Sequence, residues 1–258
     1  MNAEVKGTTL PTLQVTLNPG EFVISTHGEL AWMTANMQLS QQMNTGGQTG
    51  FMAGLKRVVA GGGLFLTKYA AQGGPGQVTF ATKLPGRIFP LEITQGNGFL
   101  VHRHGWLCGS EGISPTIGLQ QSFRGGLYGG DGFILEKLEG QGTAWIELSG
   151  EITTYDLVNG QTILVHPGHV GVFEQSISFQ ITRMPGIANK LFGGDGFHLV
   201  ALTGPGKVWL QSMPISGLAM ALEPYLGDKR DDRGGGMADL AGGAAIGGVL
   251  GDLFGKNI

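Results

Sequence analysis

Six histidines and one cysteine have the chemistry to hold a metal ion or to act as base and nucleophile: His27, His102, His104, His166, His169, His198 and Cys108. His102 and His104, in Val-His-Arg-His-Gly, stand at i and i+2, a spacing that projects both rings from one face of a strand. Two imidazoles so placed can begin a metal site, but zinc requires three or four ligands. His166-Pro-Gly-His169 flanks a turn and adds ligands only if two parts of the chain face each other. The spacing shows no such meeting. The expectation is therefore surface or hydrogen-bonded histidines with no metal and no other cofactor, His102 and His104 coming nearest to a metal site. Asp131 and Asp195 recur within Gly-Gly-Asp-Gly. A carboxylate pair can do acid–base work, but an Asp between glycines also closes a turn through its own backbone, and that structural role is expected. Cys108 lies in Gly105-Trp-Leu-Cys-Gly109, a setting that suits a buried small side chain rather than a reactive thiol. The sequence has no Gly-x-x-x-x-Gly-Lys-Ser/Thr loop, no Gly-x-Ser-x-Gly elbow and no His-Glu-x-x-His. No catalytic residue is named.

The elements that must position these residues show themselves as repeats. Residues 129–145 and 193–209 share Gly-Gly-Asp-Gly-Phe-x-Leu-x-x-Leu-x-Gly-x-Gly-x-x-Trp without a gap. A third copy lies upstream, where Gly74-Pro-Gly-Gln-Val78 matches Gly204-Pro-Gly-Lys-Val208. Gly28, Gly98 and Gly168 each precede an apolar stretch, and Asn18-Pro-Gly-Glu21, Leu84-Pro-Gly-Arg87 and Val158-Asn-Gly-Gln161 read as turns ahead of them. The chain divides into three units, 10–83, 84–150 and 151–226, followed by a tail over 227–258. Apolar residues alternate with period two, as in Ile177, Phe179 and Ile181, which predicts short strands. The Gly140/Gly142 and Gly204/Gly206 pairs look like hairpin turns that need positive φ. Ser216 is placed to cap one short helix over 217–226, ended by Pro224. Trp106, Trp145, Trp209 and Trp32 are core candidates. The apolar, Gly-rich stretch 46–63 interrupts the first unit and offers a subunit or partner surface.

Composition narrows the function. Gly makes up 48 of the 258 residues, yet 41 % of the chain is hydrophobic and 14 % charged, the opposite of a disordered chain. A formal net charge of −3 gives no general reason to bind DNA. The basic residues, Lys83, Arg87, Arg103, Lys137 and Lys207 among them, do not recur with the repeat, so an RNA-binding ring is not expected. The N-terminal residues resemble neither a secretory signal nor a transit peptide, which makes the cytoplasm the expected location. The tail carries a charged linker, Asp228–Gly236, and then glycines 243, 247 and 251 spaced by four. It reads as flexible, with a second use as a contact to a membrane surface or partner.

The string Leu191-Phe-Gly-Gly-Asp-Gly-Phe-His-Leu-Val-Ala-Leu-Thr-Gly-Pro-Gly-Lys-Val-Trp-Leu-Gln-Ser212 closely resembles the signature of the AIM24 family, as do Leu127-Tyr-Gly-Gly-Asp-Gly-Phe133 and Gly74–Val78. The resemblance covers about 10–225. It implies an all-β fold like that of the tryptophan RNA-binding attenuation protein (TRAP), with three β-sandwich-like units about a pseudo-threefold axis, and it implies homo-oligomers. Mitochondrial members are implicated in inner-membrane organisation, while the activity of the bacterial type is uncharacterised. The expected function is a non-enzymatic interaction or scaffold protein. A small-molecule or RNA-binding ring, and an enzyme with a site between subunits, are the alternatives.

Overall fold

Period-two patterning writes the strands. In β2 (Thr12–Leu17) the odd positions Leu13, Val15 and Leu17 are fully buried, while Thr12, Gln14 and Thr16 face outward in part. A computed structural model describes residues 1–26, 28–44, 64–121, 133–183, 198–222 and 225. The body Met1–Leu218 is built almost wholly of antiparallel strands. One sheet runs β1 (Asn2–Lys6), β2, β7 (Gly76–Ala81), β4 (Leu30–Met33). A six-stranded sheet runs β5 (Met37–Asn44), β6 (Leu64–Ala71), β3 (Phe22–Thr26), β10 (Trp106–Ser110), β13 (Gly142–Ser149), β8 (Gly86–Ile93). A second six-stranded sheet runs β11 (Ile113–Gln121), β12 (Phe133–Gly140), β9 (Phe99–His102), β16 (Val170–Glu174), β19 (Gly206–Gln211), β14 (Ile152–Leu157). The last has three strands, β15 (Thr162–Val165), β18 (His198–Thr203) and β17 (Ser178–Arg183). The all-β class expected from the sequence is thus observed, with the short helix α1 (Ile215–Leu222) at the C-terminal side.

The pairings recur along the chain. β2 pairs with β7, β8 with β13 and β14 with β19. β4, β10 and β16 pair with the same β7, β13 and β19 on their other side, each with a register shift after its first residue. Three apolar clusters fill the space between sheets. Leu13, Val15, Leu17, Tyr69 and Phe80 belong to the first, Ile93, Phe99, Leu138 and Ile146 to the second, and Leu157, Val165, Val200, Leu202 and Val208 to the third. Burying a Leu or Phe of this kind stabilises by about 1.5–3 kcal/mol.

Several local expectations are corrected. Asn18–Glu21 and Val158–Gln161 do close turns, the fourth amide donating to the first carbonyl at 3.0 and 2.9 Å. Leu84–Arg87 does not. Gly86 already lies in β8, where a Cβ would stand 2.0 Å from the Leu148 carbonyl oxygen, so its glycine serves close packing. The turn that matches the other two is Thr94–Asn97, closed at 2.9 Å with Gly96 at φ 84°. Gly140, Gly142 and Gly206 take positive φ as expected, but β12 and β13 lie in different sheets, as do β18 and β19, so these turns are not the expected hairpins. Gly204 is not among the positive-φ glycines. There a Cβ would lie 2.5 Å from the carbonyl oxygens of Leu157 and Val158. The helix begins at Ile215, and Leu218 N–H donates to the Pro214 carbonyl at 3.1 Å, so Ser216 lies inside the first turn and is not the cap. β1 is an additional strand ahead of the first predicted unit. Trp106 and Trp145 are core residues, whereas Trp32 is exposed. The stretch 46–63 and the tail lie outside the described residues.

Candidate functional site

His102 is the last residue of β9, and the chain turns at once. Gly105 N–H donates to the His102 carbonyl at 2.8 Å, Arg103 N–H to the Ile134 carbonyl at 3.0 Å, and Glu147 N–H to the Gly105 carbonyl at 2.8 Å. His104 sits in the turn at φ 68°, a left-handed conformation uncommon outside glycine. His102 and His104 therefore do not share a strand face. The turn interrupts the alternation on which that expectation rested. The missing side chain of Gly105 leaves room for the His102 ring, since a Cβ there would come within 2.7 Å of Cδ2 and 2.8 Å of Nε2.

The His102 side chain is half-buried, and its Nε2 is shut off from solvent with no hydrogen-bond partner among the described residues. Burial, with the neighbouring His104 and Lys83 charges, pushes its pKa down to about 4, so the ring is neutral at pH 7. His104 is also pushed below its ordinary value, by burial first and then by Lys83 and Arg103.

Lys83 comes from the connection ahead of β8 and ties this turn to another part of the chain. Its Nζ donates to both Glu29 carboxylate oxygens, at 2.6 and 2.5 Å, and reaches Glu147 Oε1 at 3.4 Å. Burial alone would lower the ammonium pKa. The hydrogen bond to Glu29 and the Glu147 and Glu29 charges outweigh it and hold Lys83 above the ordinary lysine value. Glu147 is pushed up to about 7 by burial, against the pull of Lys83. Glu136, beside Val101 on β12, is also pushed up to about 7 by burial and by the Glu29 charge, and its Oε2 lacks a hydrogen-bond partner among the described residues.

A cleft of about 310 Å³ opens beside this turn. Lys83, His102, Arg103, His104 and Glu147 line it, with apolar wall from Leu84, Ile134, Pro167 and Pro214. Gln211 also lines it. Its Oε1 accepts from Ser149 N–H at 3.1 Å and its Nε2 donates to the Gly168 carbonyl at 3.0 Å. The volume lies at the small end of ordinary ligand pockets, about 300–1,000 Å³, and the mixed lining has their usual character.

Other sequence candidates fall elsewhere. His166 and His169 meet edge to face with ring centroids 5.8 Å apart, and Nδ1 of His169 bonds the Gln211 carbonyl at 2.8 Å. Among the described residues no three His, Cys, Asp or Glu side chains are grouped to hold one metal ion. Cys108 is fully buried in the first cluster, and burial pushes its thiol well above the ordinary range. Asp131, Asp195 and His27 lie outside the described residues. Sequence reasoning named Lys83 and Arg103 only as scattered cations and missed Glu29, Glu136 and Glu147. A signal was available for two of them: Glu136 follows Leu135, and Glu147 stands between Ile146 and Leu148, carboxylates inside apolar strand runs.

The all-β fold of antiparallel sheets is shared with a solved structure. The crystal structure of protein SPYM3_0169 from Streptococcus pyogenes matches with a TM-score of 0.68 and 20 % sequence identity, over 87 % of this chain and 99 % of that one. That likeness concerns the fold. The family comes from the sequence: the family described as Mitochondrial biogenesis AIM24 matches residues 3–213, and the chain belongs to it. No curated protein matches the chain.

Proposed function

We propose that this chain is a non-enzymatic interaction protein of the AIM24 type that holds a small amphipathic carboxylate in the cleft beside His102. The carrying observation is the buried Nε2 of His102, without a partner, in a cleft whose wall combines Lys83 and Arg103 with Leu84, Ile134, Pro167 and Pro214. A neutral imidazole can donate from one nitrogen, the Arg103 guanidinium complements a carboxylate, and the apolar wall accepts a short hydrocarbon body. The same groups are poorly prepared for catalysis. His102 stays neutral down to about pH 4, Lys83 is held charged between two carboxylates, and the Cys108 thiol is buried away from the cleft. The recurring strand pairings support reading the body as three units of the TRAP type. The tail is the segment proposed to touch a membrane surface. Isothermal titration with octanoate is expected to give saturable binding that Arg103→Ala weakens at least tenfold. No binding, or equal binding by the variant, removes this reading.

A further inference from the structure

Among the described residues that line the cleft, Glu147 is the one carboxyl. It stands on β13, and its N–H donates to the Gly105 carbonyl at 2.8 Å, which ties it to the turn of His102 and His104. The cation beside it is already engaged. Lys83 Nζ donates to both Glu29 carboxylate oxygens at 2.6 and 2.5 Å and reaches Glu147 Oε1 only at 3.4 Å. That last distance is at the long limit of a hydrogen bond, so Glu29 holds the ammonium and Glu147 borrows from it. The Glu147 side chain is 10 % exposed. A carboxylate so far from water needs a full partner or a proton.

The neighbouring charges favour the proton. Glu29 comes from ahead of β4, Glu136 from β12, Lys83 from ahead of β8 and Arg103 from the turn after β9. With Glu147 these make three carboxyls to two cations. His102 and His104 add no positive charge at pH 7, because burial holds both below the ordinary imidazole value. His166 and His169, which flank the lining residues Pro167 and Gly168, meet each other edge to face, and burial holds His166 low as well. A ligand carboxylate drawn to Arg103 adds a further negative charge to this set. Like charges in a poorly solvated space strengthen a carboxyl's hold on its proton. Glu29 is fixed on Lys83 by both oxygens, and Glu136 does not line the cleft. Glu147 is the carboxyl that is loosely held and that the ligand meets.

We infer that the cleft takes up its carboxylate together with one proton, drawn from solvent and held on the Glu147 carboxyl, so that pH sets its occupancy. The inference rests on reading the cleft as a carboxylate site. Protonation turns Glu147 from an acceptor into a donor, and it then hydrogen-bonds the ligand instead of repelling it. Its pKa already stands at about 7, so near neutrality the proton is gained at small cost. Above pH 7 Glu147 is increasingly ionised before the ligand arrives, and each binding event must draw a proton from a scarcer supply. Affinity therefore falls as pH rises.

The test uses the full chain. Titration calorimetry with octanoate at pH 8, run in phosphate and in Tris, gives the proton uptake from the difference in heat. An uptake of roughly one half to one proton is expected, with affinity falling about tenfold from pH 7 to pH 9. Glu147→Gln, whose amide also donates, should bind without proton uptake and lose that fall in affinity, whereas Glu136→Gln should keep both. A third measurement needs no variant to fold. In the wild type, adding octanoate labelled at its carboxyl carbon should give an infrared difference spectrum with a new unlabelled carboxylic-acid band and an ionised labelled ligand. Octanoate that binds without proton uptake overturns this inference and leaves the carboxylate reading standing, while octanoate that fails to bind at any of these pH values overturns both. Uptake that survives in Glu147→Gln or disappears in Glu136→Gln overturns the inference, and so does a protonated ligand band.

Discussion

Glu136 is a carboxyl that the fold would rather keep protonated. Its pKa rises from an ordinary 4.5 to about 7 on burial, so the folded chain binds this proton more tightly than the unfolded chain does. The stabilisation is complete below about pH 4.5 and is lost as pH climbs through 7. Glu147 acts in the same direction. His102 acts in the other: its lowered pKa makes it stabilising above about 6.5 and costly as pH falls toward 4. Glu136→Gln removes one of the high-pH losses. Its melting temperature is expected to exceed that of the parent by a growing margin from pH 5 to pH 8, followed by calorimetry in matched buffers; a margin independent of pH would contradict the raised pKa. These carboxyls were hard to find in advance because the sequence shows a charge in a strand but not which face it takes. Opposite strand partners such as Val101 decide that, and they are 35 residues away in the chain.

At the scale of elements, glycine does two different jobs that look alike in print. Gly140, Gly142 and Gly206 are chosen for φ, Gly86 and Gly204 for space. A Cβ on Gly204 would meet two backbone carbonyl oxygens, of Leu157 and Val158, and neither can swing aside like a side chain. Gly204→Ala is therefore expected to destabilise by about 1–3 kcal/mol, the usual cost of overpacking, measured by denaturant unfolding. The strands themselves were legible, since Leu13, Val15 and Leu17 alternate cleanly with polar residues. The turns were legible where Asn-Pro-Gly or Val-Asn-Gly carries the chain from one sheet to another. Leu84-Pro-Gly-Arg87 misled because Pro-Gly also suits a strand that must enter against its neighbour's backbone. The turn that carries His104 was missed for a related reason: Val-His-Arg-His-Gly contains no Pro, Asn or Asp to mark a bend, and His104 takes its left-handed φ without one.

For the whole molecule, the family and the all-β class could be read from the repeated glycine strings, whereas the site could not. The cleft is assembled from a connection, a strand-end turn and strands far apart in the chain, and only pairing brings Lys83 to Glu29 and Glu147. No helix among the described residues is long and apolar enough to cross a membrane. If the tail meets a membrane surface as proposed, the full chain should float with phosphatidylcholine–phosphatidylglycerol vesicles while a 1–226 truncation stays at the bottom of the gradient. Equal behaviour of the two would remove the tail from that role. The two six-stranded sheets bear on how such a chain can be dissected. Each is half built from one stretch of sequence and half from the next, joined where β3 meets β10 and where β9 meets β16. A cut between the stretches therefore falls across a sheet, baring sticky edges on both fragments. A chain of this design can be lengthened or shortened by evolution only in whole-sheet steps, and its parts are poor candidates for life as separate modules.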